Sequence, residues 1–89
     1  MKKSAFDKAL VKKVSQCLQD FMHSHQIDQL TADEGSQILS ENNILSNRVG
    51  PKPGFNFRQL LRDGRDGKIE NIDGVYQKRP HTKWIIYRK

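Results

Sequence analysis

The apolar positions of this chain fall at helical spacing in three stretches and at strand spacing near the C-terminus. Phe6, Leu10, Val14, Leu18 and Phe21, joined by Val11, Cys17 and Met22, form one stripe and predict a helix over 4–25. Lys8, Lys12, Lys13, Gln16, Gln19 and Asp20 lie mostly away from that stripe. Ser4 is the expected N-cap, with Asp7 three residues on as its partner. His23, Ser24 and His25 close the helix, where cations favour the dipole. Ile27 to Leu30 predicts a small first strand. Thr31-Ala-Asp-Glu34 spells a capping box and opens a second helix that runs to Asn42. Ala32, Ile38 and Leu39 should face inward. Gly35 weakens that helix, and a close helix–helix approach is the usual reason to keep it. Asn42-Asn43 can end the helix in a left-handed conformation, after which Ile44 and Leu45 return to the core.

Two prolines and two glycines make 46–54 a loop. A third helix is expected over 54–64, with Phe57, Leu60 and Leu61 at i, i+3 and i+4, Phe55 at its start, and Gly54 and Gly64 as start and stop. Asp66-Gly67 and Asp73-Gly74 are turn dipeptides in the connector that follows, pinned by Ile69 and Ile72. Val75–Gln77 and Lys83–Arg88 alternate as two antiparallel strands, Trp84 and Ile86 on one face, Ile85 and Tyr87 on the other. The expectation is an α+β chain, a small winged helix-turn-helix of three helices with a C-terminal two-stranded β-hairpin wing. It would form one domain over 1–89, with the N-terminal helix in 1–26, helix-loop-helix in 31–64 and wing in 74–89. The expected core is Leu10, Val14, Leu18, Phe21, Ile38, Leu39, Leu45, Phe57, Leu60, Leu61, Ile69 and Ile86.

Charge changes this picture from a fold to a partner. The net charge is +6, and it is divided unevenly. Residues 1–47 carry five Lys against six Asp/Glu, a net −1, and residues 48–89 carry eleven Lys/Arg against four Asp/Glu, a net +7. A folded chain with one basic half points to a polyanionic partner, against the plainer reading of a solvated basic surface. Apolar content of 35% and charged content of 29% suit a globular chain. No apolar run reaches membrane-spanning length, and the N-terminus lacks signal-peptide character, so no membrane partner is expected. A single cysteine, Cys17, points to a reducing, cytoplasmic setting.

The run Thr31-x-x-Glu34-Gly35-x-x-Ile38-Leu39, then Phe57-Arg58-x-Leu60-Leu61-Arg62-x-Gly64, then Lys68-Ile69, then Lys83-Trp84-x-Ile86 resembles the winged helix-turn-helix of the excisionase and MerR-type superfamily. The similarity covers the last 59 residues and lies in the order of these elements. The loop between the motif helices is longer here than in a tight helix-turn-helix, and the N-terminal helix is additional. The resemblance implies a double-stranded DNA partner for a transcriptional regulator or DNA-binding module of bacterial or phage type. Residues 54–64 would enter the major groove, and 77–83 would lie on backbone or minor groove.

The residue types suit that role. Arg matches guanine O6/N7, and Gln or Asn matches adenine N6/N7, which marks Asn56, Arg58, Gln59 and Arg62 as candidate base readers, with Arg65 beside them. Lys78, Arg79, His81 and Lys83 at the wing tip are candidate phosphate contacts. Arg48 and Lys52 make the 46–54 loop either an arm along the DNA or a plain connector. The competing view of the arginines is pairing with Asp63, Asp66 or Glu70 alone. Cys17, His23 and His25 fit no common zinc spacing, and the 64–74 connector does not spell a calcium loop, so no metal or other cofactor is expected. No nucleophile or phosphate-loop motif appears, and an enzyme is not expected. The alternative class is a winged-helix protein-interaction adaptor using Trp84, Tyr76 and Tyr87 as an exposed aromatic patch. RNA binding lacks its basic, aromatic-rich strand signature. A homodimer through the N-terminal helix is a further open alternative.

Overall fold

A computed structural model describes residues 6–46, 54–79 and 82–89. Its first helix, α1, spans Lys8–His25. It begins later than the spacing predicts, because Asp7 is the N-cap: its carboxylate accepts from the Leu10 N–H at 2.7 Å. Ser4, the expected cap, lies outside the described residues. The stripe of α1 is buried at Val11, Val14, Leu18 and Met22, while Leu10 and Phe21 are only partly covered. Gln19 is a correction. It does not lie on the outer face but is buried, with its amide donating to the Asp73 and Tyr87 carbonyls at 3.1 and 2.9 Å. Its Oε1 accepts from the Lys89 N–H at 2.9 Å. One side chain thus binds three backbone groups, at Asp73, Tyr87 and Lys89, and ties α1 to the C-terminal end of the chain.

Strand β1 is Gln29–Thr31 and is followed directly by helix α2, Ala32–Glu41. The capping box forms as read: the Glu34 N–H donates to Thr31 Oγ1 at 3.2 Å, and the Thr31 N–H donates to Glu34 Oε1 at 2.9 Å. The left-handed residue that ends α2 is Asn43, at φ 56, and Asn42 stays right-handed. Leu45 then returns to the core, with Ile44 packed against it.

Helix α3 spans Phe55–Arg65. Its Phe57, Leu60 and Leu61 are buried. Gly35 of α2 is what allows α3 so close: a Cβ there would lie 2.7 Å from Phe57 Cε2. The helix does not stop at Gly64. It runs one residue further, and Gly67, at φ 80, takes the left-handed position. The Lys68 N–H reaches the Asp63 carbonyl at 2.9 Å and the Gly67 N–H the Gly64 carbonyl at 3.2 Å, the paired bonds of a Schellman end.

Strands β2, Val75–Gln77, and β3, Trp84–Tyr87, pair antiparallel as expected. The sheet is not two-stranded, however. β1 also pairs with β3, giving the order β1-β3-β2 with β3 in the middle. Leu30, Ile86 and Val75 stand opposite one another on the inner face, and Gln77 stands opposite Trp84. Thr31, Ile85 and Tyr76 share the outer face. α1 packs on α2, and α2 packs on α3, β1 and β3, so α2 sits at the middle of the core. Of the expected core, Ile69 joins Leu10 and Phe21 as only partly buried, and Leu30, Ile72 and Trp84 are buried in addition. The radius of gyration, 12.1 Å, equals the roughly 12 Å of a compact chain of this length. The protein is therefore a compact α+β domain of three helices and a small three-stranded antiparallel sheet. Among the described residues no helix is long and apolar enough to cross a membrane.

Candidate nucleic-acid interface

Arg58, Arg62 and Arg65 follow one another at i, i+4 and i+7 on α3, which keeps them on one face of the helix. The inner face of the β2–β3 hairpin stands opposite at Gln77 and Trp84. Between them runs a groove of about 380 Å³, lined by the three arginines, by Gln77, Thr82, Lys83 and Trp84 of the hairpin, and by Thr31, Ala32 and Asp33 where α2 begins. Four cations and one carboxylate thus meet in one concavity.

Each arginine is held by a neighbour. Arg58 donates through Nη2 to the Asp33 carboxylate across the α2–α3 contact. Arg62 lies with its guanidinium carbon 5.6 Å from the centre of the Phe55 ring and donates to Gln59 Oε1 at 2.8 Å. Gln59 in turn donates to Asp63 Oδ1 at 2.9 Å, and Asp63 is buried. Arg65 donates from Nε to Asp66 at 3.2 Å and from Nη1 to Gln77 Oε1 at 3.4 Å, with its guanidinium carbon 6.0 Å from the Trp84 ring centre. Gln77 Nε2 donates to the Thr82 carbonyl at 2.8 Å, so Arg65 is linked through Gln77 to the far arm of the hairpin. Of the anticipated acidic partners, Asp66 pairs directly with Arg65. Asp33 holds Arg58, and Gln59 bridges Asp63 and Arg62.

The other predicted site residues divide into three groups. Lys78 and Arg79 line a second groove at the hairpin, which shares Arg65, Gln77 and Trp84 with the first. Asn56 and Gln59 are not in the main groove: the Asn56 amide donates to the Ser46 carbonyl at 3.3 Å, and Gln59 is engaged with Asp63 and Arg62. Arg48, Lys52 and His81 lie outside the described residues. Asp33, Gln77 and Thr82 are groove residues that the sequence did not single out. Gln77 was signalled weakly by its alternation with Val75, whereas Asp33 had no local sign, since its partner is 25 positions away.

The aromatic patch expected of an adaptor does not form as read. Trp84 is buried on the inner face, and only Tyr76 and Tyr87 are exposed, ring centres 6.0 Å apart on the outer side. At the end of α1, His25 stacks on Phe21 with ring centres 4.1 Å apart. Burial, and secondarily the Asp20 carboxylate, push the Cys17 thiol above its ordinary pKa, which disfavours the reactive thiolate. Among the described residues no three His, Cys, Asp or Glu side chains are grouped as a metal would require. Comparison of the chain with protein-family models, curated proteins and solved structures finds no match.

Proposed function

We propose that this protein binds double-stranded DNA as a small winged helix-turn-helix, with α3 in the major groove and the β2–β3 hairpin as the wing on the backbone. The observation that carries the reading is the convergence of Arg58, Arg62 and Arg65 with Lys83 in one groove between helix and hairpin. An α-helix fits the major groove, and cations flanking it neutralise phosphates. In this reading α2 crosses the backbone, the position of the first motif helix in such domains. Lys78 and Arg79, in the neighbouring groove at the same hairpin, add charge where a wing meets phosphate. The apolar stripe of α1 is buried against its own chain, so the proposal makes no use of α1 as a dimer seam. No reaction is assigned.

Fluorescence anisotropy with a labelled duplex, run across a salt series, tests the reading. Binding should weaken steeply with salt, and Arg79→Ala or Lys83→Ala should weaken all duplexes alike while lowering the salt slope by about one each. A wild-type chain that binds no duplex at about 50 mM salt would refute it. The adaptor reading would then rest on the exposed Tyr76–Tyr87 pair.

A further inference from the structure

The polar face of α3 is not a uniform set of reading groups, and its internal bonds sort the residues into two roles. Gln59 spends its amide on the buried Asp63 and its carbonyl on Arg62. One amide N–H and one carbonyl lone pair of Gln59 are thus occupied within α3, and Gln59 does not line the groove. Arg62, by contrast, gives only one of its five N–H donors to Gln59 and lies over Phe55. Arg58 is anchored in the same manner by Asp33. Arg65 is committed to Asp66, Gln77 and Trp84, bonds that set the distance between helix and hairpin.

Resting on the DNA reading, we infer that the preferred duplex is one that offers guanines in the major groove, read by Arg58 and Arg62. Gln59 and Asp33 are their positioning residues. Three physical points support it. A guanidinium held by a carboxylate or amide on one side has lost much of its rotamer freedom before DNA arrives, so less is lost on binding. The remaining donors of the fork match the O6 and N7 acceptors of guanine, the one base with two acceptors side by side in the major groove. The α3 amides that could select adenine, Gln59 and Asn56, do not line the groove and are bonded elsewhere, and the one amide in the groove lining, Gln77, is bonded to Arg65 and the Thr82 carbonyl. Four helical residues advance about 6 Å, close to two base steps of about 3.4 Å, so an α3 lying along the groove would place Arg58 and Arg62 over guanines about two steps apart. The Asp33 carboxylate at the rim repels a phosphate that would otherwise capture Arg58, which keeps that arginine for a neutral base edge.

The test uses two pools of mixed-sequence duplex, identical except that 7-deazaguanine replaces guanine in one. This removes the N7 acceptor and leaves charge and base pairing unchanged. Anisotropy competition should show the wild-type chain binding the natural pool at least about fivefold more tightly, the lower end of a bidentate base contact. Arg62→Lys keeps the charge but not the fork, so its salt slope should stay and its preference for the natural pool should shrink to what Arg58 alone supplies. Gln59→Ala removes a donor from the buried Asp63 and should lower the unfolding midpoint, but below that midpoint it should shrink the preference with the salt slope unchanged, which a merely structural loss would not produce. Equal affinity of the wild type for the two pools would overturn the guanine inference and leave DNA binding standing. A Gln59→Ala variant with undiminished preference would remove Gln59 from the positioning role. Failure to bind either pool at about 50 mM salt would sink the DNA reading and this inference together.

Discussion

Helices α1 and α3 are both amphipathic, and both bury an apolar stripe in the same core. They differ in what the opposite face does with its charge. On α1, Lys8, Lys12 and Lys13 are exposed, and among the described residues none of them forms an ion pair. On α3 the arginines at 58, 62 and 65 each have a fixed partner and look across a groove at another element. Positive charge alone does not make an interface. Lysines spread on a convex face keep their entropy and their water, whereas arginines held in a concavity have given up part of both before a ligand arrives. The halves of the chain repeat the contrast, at a net −1 for 1–47 and +7 for 48–89.

If the two helices are equal as scaffold, their buried leucines should matter alike. Leu18→Ala on α1 and Leu61→Ala on α3 should each destabilise by ~2–5 kcal/mol in urea titration. A loss below about half a kcal/mol at Leu61 would show that the inner face of α3 is misassigned. Gln19→Ala should come next, at ~1–3 kcal/mol, because it strands three backbone partners at once. Amide exchange near Tyr87 and Lys89 should quicken with it. An unchanged exchange rate there would mean water replaces the side chain at no cost.

The functional half of the comparison has smaller expected effects. Arg62→Ala should weaken binding to a preferred duplex by ~1–3 kcal/mol, while Lys12→Ala should leave it unchanged in the same anisotropy assay. Equal losses would mean that charge, not placement, drives association. Asp33→Ala removes a partly exposed ion pair, so thermal unfolding should register no more than ~0–1 kcal/mol. A larger loss would mean that the α2–α3 contact depends on that pair.

What the sequence showed and what it hid follows from how far apart the partners lie. The capping box at Thr31–Glu34, the Phe57-Leu60-Leu61 stripe and the alternation at 84–87 are local patterns, and each took the expected form. β1 was hidden in its consequence: three residues carry little strand signal, and their partner β3 lies more than fifty positions on. Gln19 was misread for the same reason, since its acceptors at Asp73 and Tyr87 come from the other end of the chain. The Arg58–Asp33 pair needs the α2–α3 packing to exist before it can form. Gln59 was a different case. Its partner Asp63 is four positions on in the same helix, a spacing that pairs Gln with Asp. That local sign alone ties Gln59 to Asp63 within the helix.

The central claim is that α3 and the β2–β3 hairpin together face the duplex while α1 does not. A chemical-shift titration of the isotope-labelled chain with a short mixed-sequence duplex tests it most directly. Shifts should concentrate on the amides of Phe55–Arg65, on Gln77 to Arg79 and on Thr82 to Trp84, with Lys8–His25 unmoved. Shifts centred on α1, or on the outer sheet face at Tyr76 and Tyr87, would contradict the account.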